Sequence, residues 1–185
     1  LFFVSLPIIA QNEEDITGRK APNFKLVNLD GKYVELDKET GGGPVLLSFW
    51  ATWCKPCLEE MVEYNKIYEQ YEDKGFTLLA ISTDTEKSVA KVKPYIKSKG
   101  YNFPVLLDTN SEVARKYYAQ QMPYTVLLDK SGNIVYSHLG YMKGDEQKVE
   151  NADQQNVTTE NSSQPIVNHR YGIKSGVIFY TAPMG

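Results

Sequence analysis

Cysteine and histidine are scarce in this sequence, two of each in 185 residues. A tetrahedral zinc site draws four ligands, commonly Cys and His at short paired spacings. Here His138 falls at the end of an expected strand and His169 in a polar tail, so both read as surface residues and no metal is expected. An excess of one charge is lacking too. The formal net charge is -3 and no dense basic cluster offsets it, which leaves no electrostatic case for nucleic acid. Tyrosine is plentiful, at 13, but it is spread along the chain, as for packing and surface rather than a base-stacking platform. Long apolar runs are missing: the N-terminal "LFFVSLPIIA" falls well short of the roughly 20 residues of a spanning helix. No internal repeat is evident. What remains is ordinary for a globular chain, 42% hydrophobic and 23% charged, long enough for one medium domain with extra segments.

The first residues, "LFFVSLPIIAQ", are apolar, end on Ala10-Gln11 and give way to polar "NEEDITGRK". This pattern resembles the end of a secretory signal; without an initiating Met or a basic lead-in, the numbering is expected to begin inside a precursor. A hydrophobic strand packed on the domain is the alternative. Export implies a periplasmic or extracytoplasmic location. In an oxidising compartment, two cysteines suggest either one stable bridge or one working dithiol.

Beyond that lead-in (1–18), the apolar pattern outlines one domain over 19–150. "APNFKLVNLDGKYVEL" alternates apolar and polar residues about Asp30-Gly31, which predicts a hairpin with a two-residue turn. "GGGPVLLSFW" predicts a loop and then a strand buried on both faces. From Pro56 to Tyr71, positions Leu58, Met61, Val62, Tyr68 and Tyr71 keep helical spacing. Pro56 sits in the first turn, where its missing N–H costs nothing, and Gly75 marks the end. "FTLLAIS" is the next buried strand. "TDTEKSVAKVKPYIKSKG" predicts a second helix, kinked or broken at Pro94. "FPVLLD" then predicts a third strand, "NSEVARKYYA" a short helix, and "YTVLLDKSGNIVYSHLG" a closing hairpin turning at Ser131-Gly132-Asn133. Alternating strands and helices closed by an antiparallel pair imply an α/β fold, a mixed sheet with helices on its faces.

After about Val149 the composition turns to Asn, Gln, Ser and Thr, so 151–170 is expected to be a polar linker or disordered tail. Asn156 and Asn161 begin Asn-x-Ser/Thr triplets, which such a composition produces by chance. Residues 171–185, with "SGVIFYTAPMG", predict a strand that either joins the sheet edge or, the favoured reading, opens a truncated second domain.

The segment "FWATWCKPCLEEM", residues 49–61, holds both cysteines. As a staple, a Cys54–Cys57 bridge would close a loop too short to remove much entropy from the unfolded chain. As a dithiol the pair is well placed. A strand delivers Cys54 to a helix start, where unpaired backbone N–H groups and the positive end of the helix dipole favour the nucleophilic thiolate. Cys57, one turn in, is expected to be more buried and placed to attack a mixed disulfide at Cys54. Lys55 adds a positive charge that is expected to point to solvent. Glu60 follows Cys57 by three residues and shares its helix face. Spacing alone leaves Glu60 open to being a solvent-facing residue, the fate assigned to Glu59.

This segment resembles the active-site segment of the thioredoxin superfamily, and most of all the TlpA/ResA-like exported thiol–disulfide oxidoreductases. The likeness runs over about residues 20–148 and takes in "APNF", "FPVLLD" and "MPYTVLLDKSGNIV". It implies a thioredoxin-like three-layer sandwich: a central mixed sheet with helices on both faces, an N-terminal β-hairpin and an inserted helix–strand element. It also implies that Cys54 attacks and Cys57 resolves, as a redox-active disulfide. Pro123 would carry a cis bond opposite the dithiol, which an X-Pro sequence alone does not predict. Such a bond would bring the Met122 backbone beside Cys54, where it could pair with an extended substrate. Trp53 either flanks the disulfide as an apolar platform or packs in the core.

Thioredoxins proper carry an aspartate in the strand before the motif; Ser48 stands there in this chain, and Glu60 occupies the place of the TlpA/ResA-like glutamate. In a partly apolar setting its carboxyl would have a raised pKa and exchange a proton with Cys57. The implied activity is reduction of disulfides in exported proteins by a monomer, with no organic cofactor and with a membrane thiol donor to restore the dithiol. Two other readings stay open. A peroxiredoxin-type thiol peroxidase needs a Pro-xxx-Thr-xx-Cys loop, a spacing that Phe49 and Thr52 do not meet. A redox-inactive binding module of a larger exported protein is the other.

Overall fold

A computed structural model describes residues 15–151. The expected signal remnant before residue 15, and the linker and terminal strand after 151, lie outside the described residues. Seven strands form one sheet: β1 (Lys25–Asn28), β2 (Tyr33–Glu35), β3 (Val45–Trp50), β4 (Thr77–Ser82), β5 (Val105–Leu107), β6 (Tyr124–Leu128) and β7 (Ile134–Leu139). Their order is β2-β1-β5-β4-β3-β6-β7. β3, β4 and β5 run parallel, and every other neighbouring pair is antiparallel. The helices are α1 (Leu36–Glu39), α2 (Lys55–Tyr71), α3 (Val92–Lys99) and α4 (Glu112–Lys116), and a last one begins over 146–151. The thioredoxin-like layering implied by the sequence is the one that forms.

Strand periodicity divides the core in two. Along β3, Val45, Leu47 and Phe49 enter one apolar cluster, with Leu36, Val113, Tyr117 and Tyr124. Leu46 and Trp50 point the other way and pack with Met61, Tyr64 and Ile67 of α2 and Val92 and Ile96 of α3. Side chains alternate across a strand, so β3, central and parallel to β4, is apolar on both faces. Burial of each such large side chain contributes about 1.5–3 kcal/mol. The exception in β3 is Ser48, buried on the α2 side. Its register partner on β6 is Thr125, buried on the same side.

Three local expectations are corrected. The first hairpin does not turn on two residues. Asn28 N–H donates to Lys32 O and Gly31 N–H to Asn28 O, leaving three residues in the loop, with Gly31 at φ 75°. The Asn28 side chain accepts from the N–H groups of Asp30 and Lys32, and this Asx-type bonding favours the longer loop.

The second helix starts later than expected and is not kinked at Pro94. A 3-10 turn over Val89–Lys91 leads into α3, which begins at Val92. Pro94 thus lies in the first turn, where its missing N–H is no loss. The third correction concerns α2. Its buried face is Cys57, Glu60, Met61, Tyr64 and Ile67. Val62, expected on that face, is 41% exposed.

Candidate active site

β3 ends at Trp50, and four residues later Cys54 becomes the N-cap of α2. The turn between them is closed by Cys54 N–H donating to Ala51 O at 3.1 Å. Pro56 occupies the first turn, whose residues include no acid. No acid of α2 itself therefore offsets the positive helix end where Cys54 meets it. Cys54 and Cys57 are joined as a disulfide, with Cα atoms 5.3 Å apart. Cys57 N–H donates to Cys54 Sγ at 3.3 Å, the bond by which an N-cap side chain satisfies an unpaired helix donor. The same donor would stabilise a Cys54 thiolate. Cys54 keeps 5% of its surface in solvent and Cys57 has none.

Glu60 lies one turn beyond Cys57, 1% exposed, while Glu59 faces solvent. Its two carboxyl oxygens meet the polar pair that strand alternation places beneath α2. Ser48 Oγ donates to Oε2 at 3.3 Å, and Thr125 Oγ1 donates to Oε1 at 3.1 Å. Tyr64 backs this up, its hydroxyl 3.0 Å from Thr125 Oγ1. Burial dominates and pushes the Glu60 carboxyl up to about 8, against the lowering effect of its hydrogen bonds from Thr125, Tyr64 and Ser48; the Asp145 charge raises it further.

Asp145 belongs to the segment after β7, where it accepts from Met142 N–H and pairs with Lys148 and His138. Those contacts hold its own carboxyl below the usual range, led by the bond from Lys148. His138 is therefore not a bare surface residue: it lies 3.3 Å from Asp145 and stacks on Tyr136.

The Met122-Pro123 bond is cis. Thr83 ties this loop to the dithiol loop: its N–H donates to Trp50 O at 2.9 Å, and its hydroxyl reaches both Trp50 O at 3.2 Å and Met122 Sδ at 3.1 Å. Trp53 is 69% exposed, which removes the core-packing alternative; the buried indole is that of Trp50. The residue after Thr83, Asp84, accepts from both the N–H and the hydroxyl of Thr52.

The arrangement is a Cys54–Cys57 disulfide at a helix start with a buried carboxyl behind it. A scan against family profiles matches this chain to Redoxin over residues 16–155. The chain belongs to the Redoxin family. Within it, the "Thiol-disulfide oxidoreductase ResA" of Bacillus thuringiensis (strain Al Hakam) is 38% identical over 131 residues, 71% of this chain and 74% of that relative. Among solved structures, a putative thiol:disulfide interchange protein DsbE from Chlorobium tepidum superposes with TM-score 0.69 at 28% identity, over 76% of this chain and 97% of that one. The pneumococcal exposed lipoprotein thioredoxin Etrx1 from Streptococcus pneumoniae strain TIGR4 superposes with TM-score 0.60 at 28% identity, over 72% and 99%. This Redoxin-family chain is a ResA-like thiol–disulfide oxidoreductase. The peroxidase reading is not favoured: these relatives are disulfide-exchange proteins by name, and the Thr52 hydroxyl is already bound by Asp84 at 2.7 Å.

Sequence reasoning missed Thr125, Tyr64, Thr83 and Asp84. Thr125 was accessible from period-two alternation in "YTVLL", which puts it on the Leu127 face. Thr83 and Asp84 follow the carboxyl end of a parallel strand, the edge where open α/β sheets collect their chemistry. Tyr64 carried no signal beyond one apolar helix position.

Proposed function

We propose that this oxidoreductase reduces disulfides of exported proteins, with Cys54 attacking, Cys57 resolving and Glu60 serving as proton partner to Cys57. The observation that carries the reading is the Cys54–Cys57 pair at the start of α2 with a buried carboxyl one turn behind it. The Cys54 thiolate attacks one sulfur of a substrate disulfide. That S–S bond breaks, a mixed disulfide forms, and the first substrate thiolate leaves and takes up a proton. Cys57 then gives its proton to the Glu60 carboxylate and attacks Cys54 Sγ. The mixed disulfide breaks, Cys54–Cys57 forms, and the second substrate thiolate departs. Two electrons have passed to the substrate. A carboxyl pushed up to about 8 matches a thiol far better than an ordinary carboxylate would, and matched groups exchange protons efficiently.

Exposed Trp53, with Met122 and Pro123, frames the substrate side. Work outside the cytoplasm is supported by the largely apolar stretch 1–10 and by the pneumococcal relative, an exposed lipoprotein thioredoxin. A membrane thiol donor would then return the pair to the dithiol. Cys54→Ser is expected to abolish reduction of insulin disulfides, and retained activity would overturn the mechanism. A redox titration is expected to fall near the thioredoxin end, about -270 mV. A value near the DsbA end, about -120 mV, would reverse the proposed direction.

A further inference from the structure

Asp84 is a second buried carboxyl at this edge of the sheet, and the exchange steps above make no use of it. It lies two residues past the end of β4, after Thr83, and is fully buried. Its oxygens accept from Thr52 N–H at 2.8 Å, Thr52 Oγ1 at 2.7 Å and Ser82 Oγ at 3.1 Å. Burial pushes this carboxyl up, but hydrogen bonds from Thr52, Ser88 and Ser82 outweigh it and hold the group below the ordinary range. The anion is thus built in. A buried charge is an expensive way to pin a loop where an apolar contact would do, and this one grips the backbone two residues before Cys54. Next to it, Thr83 holds Trp50 O. The residues after β4 therefore hold the short turn that presents the nucleophile at two points, Trp50 O and Thr52.

We infer that Asp84 is a positioning residue for the dithiol: by holding Thr52 it fixes Cys54 at the N-cap of α2 and so sets the redox equilibrium of the Cys54–Cys57 pair. Two physical effects act in one direction. Holding Cys54 in reach of Cys57 raises the effective concentration of one sulfur at the other, which favours the disulfide. A fixed negative charge bound at Thr52, two residues before Cys54, disfavours a thiolate there, and with it the reduced form. Both keep the potential low.

The test is redox equilibration with glutathione in the folded protein. Asp84→Asn, which keeps the volume and removes the charge, is expected to shift the equilibrium toward the dithiol by about three- to tenfold, about 15–30 mV for a two-electron couple. Asp84→Ala is expected to shift it at least as far, and Thr52→Val in the same direction but less. A merely structural role would lower unfolding stability and leave this equilibrium in place. If Asp84→Ala fails to fold, Asp84→Asn decides. An Asp84→Asn equilibrium within about twofold of wild type would overturn the inference. The inference rests only on the pair being redox-active. A wild-type protein that glutathione could neither reduce nor reoxidise would sink the exchange reading itself, whereas a cycling wild type with an unshifted variant sinks this inference alone.

Discussion

Thr125 Oγ1 donates to Glu60 Oε1 at 3.1 Å, across the seam between β6 and α2. That bond, with its counterpart from Ser48, gives a carboxyl buried in an apolar layer enough polar support to ionise near neutral pH. Without it, desolvation would keep the group protonated; with more, it would be an ordinary carboxylate and a poor partner for a thiol.

Glu60→Gln is expected to keep the fold and the first attack by Cys54 while slowing resolution by Cys57. Removal of a positioned acid–base group costs about 100-fold or more. Single-turnover trapping of the mixed disulfide reads this directly, as accumulation in the variant and not in the wild type. Equal resolution rates across pH 6–9 would remove Glu60 from the mechanism.

Tyr64→Phe removes the hydroxyl 3.0 Å from Thr125 Oγ1 and nothing else from the core. That hydroxyl lowers the Glu60 pKa by hydrogen bonding, so its loss is expected to raise it, by about half a unit to one unit. Other titratable groups near this network are Asp145 and Tyr141 from the segment after β7, and Tyr136 on β7; the substitution leaves them in place. Carbon-13 titration of the Glu60 carboxyl follows the shift, and an unmoved midpoint would disprove the coupling.

Glu60 also makes stability depend on pH. Its folded pKa of about 8 lies above its unfolded value, so the folded state holds the proton more tightly. The favourable contribution is complete below about pH 4.3 and is lost as pH rises through about 8. The ceiling on the loss is about 5 kcal/mol, at about 1.4 kcal/mol per unit. Urea midpoints of the oxidised protein are expected to fall between pH 5 and 8, and Glu60→Gln to flatten that slope. Asp84 and Asp145, with lowered values, act the opposite way in a separate acid window, where their contribution is lost as pH falls below about 4.

Gly75 ends the turn after α2 at φ 93°, and a Cβ there would stand 2.5 Å from Gly42 O. Gly75→Ala combines a left-handed penalty with a backbone clash and is expected to cost about 2 kcal/mol or more. Chemical denaturation of the variant measures it; a loss under about 0.5 kcal/mol would show that the two loops part freely.

Most of the architecture was legible because its signals are local and redundant. The apolar runs of β3 and β4, the period of α2 and the composition of the closing hairpin each point the same way as the fold. Pro94 misled because proline excludes a helix interior and is welcome in a first turn; the sequence does not say where the turn begins. Val62 misled because the motif starts α2 with its cysteine face inward. That phase turns Val62 out and Tyr64 in. That Cys57 and Glu60 share a helix face just after Cys54 was readable from spacing. The partners of Glu60 were not, since Ser48 and Thr125 meet only through the β3–β6 register.

That register also has a temporal side. The two sulfurs and Glu60 leave the ribosome within seven consecutive residues, but the Thr125 hydroxyl that binds the carboxyl arrives only with β6. A chain interrupted before β6 would carry both thiols with neither Thr125 nor the Met122-Pro123 loop beside them. The Cys54–Cys57 pair and Glu60 thus gain these neighbours only once β6 has joined the sheet, so their setting depends on a late folding step.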